Sequence, residues 1–240
     1  MYLHGFQAAA LLPSMFSQPN IMSAASRELD RLSPGRSRAF TLVELLVVVS
    51  IIVVVSALVA PAVNTVFRGT QLTQGGQMAV DQFTLARQMA LSKNYPMEVR
   101  LYQFADPEIP GQTAGNQSTW RYRALQIFEI TESGSGVAMG KAQRLPPTVI
   151  IDSSSSLSTL INNPAQGDPQ VKFLRAGANY NYCAFRFLPD GATNLSPTSG
   201  TTWFLTLHGN TDGDGLTKLP PNFFTIQINA TNGHITTFRP

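Results

Sequence analysis

Between Leu45 and Phe67 the chain carries no charged residue, and its stretch LLVVVSIIVVVSALVAPAV is aliphatic almost throughout, with two serines. A run of that length reaches the roughly 20 residues needed to span hydrocarbon. A strand rarely exceeds about 10 residues, and a core helix of this length would be expected to show a polar face. The run therefore reads as a membrane helix. The segment before it, SAASRELDRLSPGRSRA at 23–39, is polar and carries Arg27, Arg31, Arg36 and Arg38. Such a basic flank is expected to stay cytoplasmic, which sends the rest of the chain outward. Pro61-Ala62-Val63 makes only a poor version of the small-residue site at which a secretory signal would be cut.

Glu44 is out of place in a plain anchor. Phe40, Thr41, Leu42 and Val43 have already opened the apolar segment when it occurs. A lone carboxylate in hydrocarbon costs several kcal/mol, roughly, unless something positive meets it. Two readings stand: a cation from another molecule pairs with Glu44, or its side chain reaches the headgroup region beside Arg38.

The segment Ala39-Phe40-Thr41-Leu42-Val43-Glu44-Leu45-Leu46-Val47-Val48 resembles the cleavage and methylation motif of type IV pilins and type II secretion pseudopilins. The resemblance implies that a prepilin peptidase cuts between Ala39 and Phe40, that an N-methyltransferase modifies the new amino group of Phe40, and that Glu44 becomes the fifth residue. Ala39 stands where the family usually has Gly. Pro61 falls where such helices commonly carry a kink. In a staggered filament the amine of one subunit would approach Glu44 of its neighbour in a poorly screened apolar core. The implied partners are other pilin or pseudopilin subunits, the two processing enzymes, the inner membrane and an assembly platform.

The leader would run from 1 to 39, or from Met22 if translation starts there, leaving an 18-residue polar leader. Its removal takes four of the 17 bases and two of the 14 acids, leaving 13 against 12. The mature chain is nearly neutral, so its charge does not by itself argue for a nucleic-acid partner. Charged residues make up 13%, about half the roughly 25% usual for soluble domains, which excludes a charged disordered tail. One Cys and three His exclude a disulfide scaffold and a zinc framework.

Past the apolar run, Leu72, Ala79, Phe83, Ala86 and Ala90 recur at helical spacing, with Asp81, Gln82, Gln88 and Lys93 largely elsewhere. Asn94-Tyr95-Pro96 supplies a stop. Gly69, Gly75 and Gly76 predict a local break or bend between. Strand-period alternation follows at 97–104, 119–130, 147–151, 170–174, 183–188, 201–208, 223–229 and 234–238. Loops are expected at 105–118, 131–146 and 152–169, the first and last being where specificity would sit. The expected fold is α+β: a long N-terminal helix, half transmembrane and half packed, on a mainly antiparallel sheet. Its parts are a removed leader (1–39), a membrane or filament-core helix (40–67), its continuation (68–95) and an extracytoplasmic β-rich domain (96–240).

Two later stretches narrow the resemblance. AVDQFTLARQMALSKNYPMEVR at 79–100 and Phe185-Arg186-Phe187-Leu188-Pro189-Asp190-Gly191 are similar to segments of H-type minor pseudopilins, the GspH/FimT family, and Phe224 to Phe238 resembles its closing strand pair. The implied function is a minor pseudopilin of a type II secretion-like or type IV pilus-like filament. It would be stored in the bacterial inner membrane as a single-pass protein, with its C-terminal domain in the periplasm. The alternatives are a membrane-anchored extracytoplasmic binding module and a DNA-uptake minor pilin. Against DNA, the tail Gly233 to Pro240 holds one certain cation, Arg239. Arg121 and Arg123 could add to it, but alternating arginines more often mark a solvated sheet face.

Asn210-Thr211-Asp212-Gly213-Asp214-Gly215 matches the first half of a calcium loop, with Asn210, Asp212 and Asp214 as ligands; Pro221 stands where such a loop would place its closing Glu. The competing reading is a solvated turn. No local motif places Ser, His and an acid together, and Cys183 alternates with Phe185 and Phe187 as a core thiol would. The chain is therefore read as a structural protein without catalytic activity or a required cofactor.

Overall fold

The computed structural model describes residues 40–162, 165–167, 179–198 and 202–240, without the side chains of 59–65 and 166. The leader, including Ala39, and the expected strand at 170–174 lie outside the described residues. The chain divides into two units, Met1–Val55 and Ser56–Pro240. Helix α1 (Leu42–Lys93) contributes to both.

In the second unit α1 ends where the sequence placed its stop. Asn94 takes a left-handed conformation (φ 58°), the usual way to terminate a helix, and Pro96 cannot continue it. The chain then enters β1 (Met97–Phe104) and β2 (Arg121–Ile130), followed by β3 (Gly136–Ala138), β4 (Gln143–Arg144), β5 (Val149–Ile151), β6 (Ala165–Gln166), β7 (Asn181–Phe187), β8 (Trp203–Gly209), β9 (Phe223–Ile228) and β10 (Ile235–Phe238). One sheet holds them in the order β10-β9-β8-β5-β2-β1-β7-β6, with β3 and β4 also on β2. Every described pairing is antiparallel.

Three short strands, β3, β4 and β6, occupy stretches read from sequence as loops. Each is only two or three residues long, too short for alternation to show. The segment expected to open at 119 starts at Arg121, because Asn116 Oδ1 accepts from Ser118 N (3.2 Å) and caps a 3-10 turn over Gln117–Thr119. The one expected at 147 starts at Val149, since Pro146 and Pro147 offer no N–H to a ladder.

The main core lies between α1 and one face of the sheet. Leu72, Ala79, Phe83, Ala86 and Ala90 are all buried there with Val99, Leu101, Ile127, Phe185, Phe187, Leu205, Ile226 and Ile228. Phe83 meets Phe185 edge to face at 5.4 Å, a favoured geometry for two ring quadrupoles. The central strands are buried on their other face too, where Tyr102, Phe104, Ala124, Phe128 and Tyr180 form a second cluster. Arg100 lies over the Phe128 ring at 3.9 Å and, with Arg186, clamps the buried Glu98 carboxylate at 2.7 and 2.8 Å.

The glycines do not break α1; they let it approach the sheet. A Cβ on Gly76 would stand 2.4–2.6 Å from the Phe224 ring, and one on Gly75 would be 3.2 Å from Pro146 and 3.3 Å from Val149. Gly69 has open space, with only Asn222 Nδ2 at 3.9 Å. Packing overrides the propensity cost that suggested a bend.

Gly76→Ala is therefore expected to destabilise the fold by about 1–3 kcal/mol through overpacking, despite the better helix former. Gly69→Ala should stabilise it by up to about 1 kcal/mol. Urea unfolding of the two variants beside the parent checks the opposite signs.

Candidate functional site

The described part of the N-terminal unit begins with Phe40, which is 70% exposed. Thr41 precedes α1, and its Oγ1 accepts from Glu44 N at 3.2 Å. This is one half of a capping box, T-x-x-E, and the spacing was there in the sequence. The cap explains why the helix begins at Leu42, and Glu44 stands in the first turn, where the helix dipole favours negative charge. Ser50 Oγ donates to Val47 O at 2.8 Å, so this hydroxyl satisfies itself inside the helix and asks nothing of its surroundings.

From Leu42 to Leu58 the large apolar side chains are all exposed, from 44% at Val48 to 78% at Leu42. A contiguous apolar surface of this kind marks a lipid or protein contact. Among the described residues no helix is long and apolar enough to cross a membrane. Pro61 falls on α1, within 59–65.

The loop after β8 was the candidate calcium site. Two of its three candidate ligands, Asn210 and Asp214, are hydrogen-bonded to other segments, while Asp212 stays 38% exposed. Asn210 Oδ1 accepts from Arg123 Nη2 at 2.9 Å. Asp214 Oδ1 accepts from Ser153 N at 2.8 Å, and its Oδ2 lies 3.6 Å from Arg121 Nε. Asp212 Oδ2 sits 3.9 Å from His208 Nδ1. Among the described residues no group of three His, Cys, Asp or Glu is placed to hold a metal ion. Guanidinium groups stand where a cation would, so the loop is built as a junction to β2.

The reading of Arg121 and Arg123 as a solvated face needs correction: Arg123 is only 2% exposed. Asp214 and Asn210, far along the chain from β2, draw both arginines inward.

Beside that loop lies a polar centre that no local motif announced. Asp152 and His208 are both fully buried, with His208 Nε2 3.0 Å from Asp152 Oδ2 and Nδ1 3.0 Å from Gly209 O. Both ring nitrogens face acceptors, so each carries a proton and the pair is ionic. Ser154 N and Oγ (2.8 and 2.6 Å) and Leu216 N (3.1 Å) also donate to Asp152. Burial works against the Asp152 charge, but these donors, His208 foremost, outweigh it and bring its pKa down to about 2. Burial likewise opposes charge on His208, yet the bonds to Asp152 and Gly209 O hold its pKa above the ordinary imidazole value. With both carboxylate oxygens occupied and no solvent access, the pair ties the 152–154 and 214–216 segments together. Only the partnership across 56 residues makes it visible, which is why sequence spacing could not.

Cys183 is a core thiol: Tyr122 Oη and Asn162 O lie at 3.2 Å from Sγ, and burial pushes its pKa up. The Pro189-Asp190-Gly191 segment is a turn, with Asp190 Oδ1 accepting from Ala192 N (2.9 Å) and Gly191 at φ 86°. Gly233 abuts it, since a Cβ there would lie 2.5 Å from Gly191 O, and Arg87 of α1 donates to Asn232 O at 3.2 Å.

The buried pair sets a pH window. The lowered Asp152 pKa stabilises the fold above about pH 4, and this contribution is lost as pH falls towards 2. The raised His208 pKa stabilises it fully below about pH 6.5 and is lost as pH rises through the folded-state value. Stability measured by urea unfolding should therefore peak between about pH 4 and 6.5, and Asp152→Asn should cost about 3–5 kcal/mol inside that window. Because Arg123 engages Asn210, and Ser153 and Arg121 engage Asp214, excess calcium or a chelator is expected to leave the melting temperature unchanged.

The solved structures that resemble the fold include the minor pseudopilin EpsH from the Type 2 Secretion System of Vibrio cholerae, at 11% identity and a TM-score of 0.39, covering 71% of this chain and 98% of that one. Another is the type IV minor pilin FimU of Pseudomonas aeruginosa, at 13% identity and a TM-score of 0.39, covering 71% and 93%. No curated protein sequence matches the chain. The family model described as Prokaryotic N-terminal methylation motif matches residues 35–60, the stretch that holds Phe40, the Thr41 cap and Glu44. The chain thus carries, at the head of its exposed apolar helix, the prokaryotic N-terminal methylation motif.

Proposed function

We propose that the chain is a pilin-like structural subunit of the minor pseudopilin kind, processed at Ala39-Phe40 and assembled through α1 into a secretion or pilus filament. The observation that carries this reading is the methylation motif at 35–60, sitting on a helix whose apolar surface is uncovered all round. Before assembly, lipid of the inner membrane covers that surface. After it, the helices of neighbouring subunits do, and the methylated amine of one Phe40 approaches the Glu44 carboxylate of the next. Charge meets charge where water is excluded, so a register that misaligns the two is penalised strongly. Pro61 relaxes the helix between its two halves. The C-terminal unit stays extracytoplasmic and presents its loops.

Intact mass and N-terminal sequencing of protein from its native membrane should show a start at N-methylated Phe40 that depends on the prepilin peptidase. A start at Met1 or Met22 with and without the peptidase would instead make this a membrane-anchored binding module. Glu44→Ala should still be cut but enter filaments at least about tenfold less well, since a buried amine is left without its counter-charge. Quantitative blotting of sheared filaments against membranes reads that ratio.

A further inference from the structure

In the C-terminal unit a cavity of about 600 Å³ opens beside α1, between the helix and the β2–β5 side of the sheet. One part of its wall is apolar, from Met78, Leu145 and Pro146; the other carries Arg123 and Arg144, with Asp106 and Glu108 also lining it. Arg123 is the unusual member. It is 2% exposed, and its two terminal nitrogens donate to neutral oxygens, Pro147 O at 3.0 Å and Asn210 Oδ1 at 2.9 Å. Its Nε has no partner among the described residues.

The carboxylates whose charge it feels, Asp106 and Asp214, are each held by another arginine, Arg144 and Arg121. Burial is the largest influence on Arg123 and lowers its pKa to about 10, which still leaves it cationic at neutral pH. A buried guanidinium with an orphan donor and only neutral partners is expensive, and buried charges are normally paired. Arg144 stands less buried, its guanidinium hydrogen-bonded to Asp106 and 5.2 Å above the Phe104 ring. Gln74, exposed on α1 at the cavity rim, has no partner among the described residues.

We propose that this cavity is a binding site for a carboxylate, received by Arg123 and Arg144 with the amide of Gln74 at the rim. Two features select a carboxylate over a phosphate. The planar fork of a guanidinium matches a planar, singly charged acceptor, and Asp106 and Glu108 on the same wall would repel a dianion. The apolar wall suits the aliphatic stem that an acidic side chain, a chain terminus or a small organic acid brings with it. The site lies in the C-terminal unit and stands apart from the processing and assembly motif, so it tests independently of them.

The experiment uses the full chain in detergent with 15N-labelled arginine. N-acetylglutamate α-amide, a blocked peptide whose sole charge is one Glu, inorganic phosphate and chloride are added in turn at matched ionic strength. The expected result is a saturable shift of the Arg123 and Arg144 Nε–H resonances with the two carboxylates. Arg144→Gln should weaken it by at least about tenfold, the loss expected for one charge-assisted bond. Gln74→Glu, a rim substitution that leaves the core alone, should weaken it similarly through like-charge repulsion. Tighter binding of the peptide than of the free amino-acid derivative identifies a polypeptide as the source; the reverse identifies a small acid. No saturable shift, an equal response to chloride, stronger binding of phosphate, or affinity unaltered in Gln74→Glu would overturn the proposal and leave Arg123 a structural clamp.

Discussion

Gly76 lies so close to the Phe224 ring that no Cβ fits between them, and this contact governs how the C-terminal unit is put together. It brings the backbone of α1 down onto the sheet, where Ala79, Ala86 and Ala90, all small, are fully buried. Larger side chains on that stripe would lift the helix away. Interiors pack at crystal-like density, so a helix seated this low needs small residues at each contact and large ones, such as Phe83 and Leu72, only where the sheet leaves room. The second aromatic cluster, on the far face of β1 and β2, then closes the sheet from the other side.

Charge is treated sparingly in this unit, and where it enters the interior it is doing structural work. Glu98 is clamped by two arginines, Asp152 by His208 and Ser154, Asp106 by Arg144. Each joins segments far apart in sequence, and each would be costly to leave half made. Arg123 is the exception, since its carboxylate neighbours are already taken.

The α1 stripe, its stop at Asn94 and the long strands β1, β2, β7, β8, β9 and β10 were legible because each runs for enough residues to show a period. Phe224, Ile226 and Ile228 alternate inward as read. What was illegible depends on contacts between distant residues. A glycine in a helix looks like a weakness until the ring opposite it is known. Arg123 on a strand looks solvated until Asn210 and Pro147 are seen to fold over it. At the N-terminus the signal lay in local chemistry, an apolar run with one acid and a Thr four positions from the span proper, and such local patterns survive in sequence.

The order of strands also fixes when this unit can fold. β1 leaves α1 directly and pairs with β2 soon after, but its other neighbour, β7, is made only at Asn181–Phe187. The ring that covers Gly76 comes later still, on β9. Long-range antiparallel pairings must wait for loop closure and are slow to form. During synthesis, therefore, the buried stripe of α1 stays without its sheet until almost the whole chain has been made, so a C-terminal truncation removing β9 would leave the helix unseated along its middle, however complete the N-terminal motif.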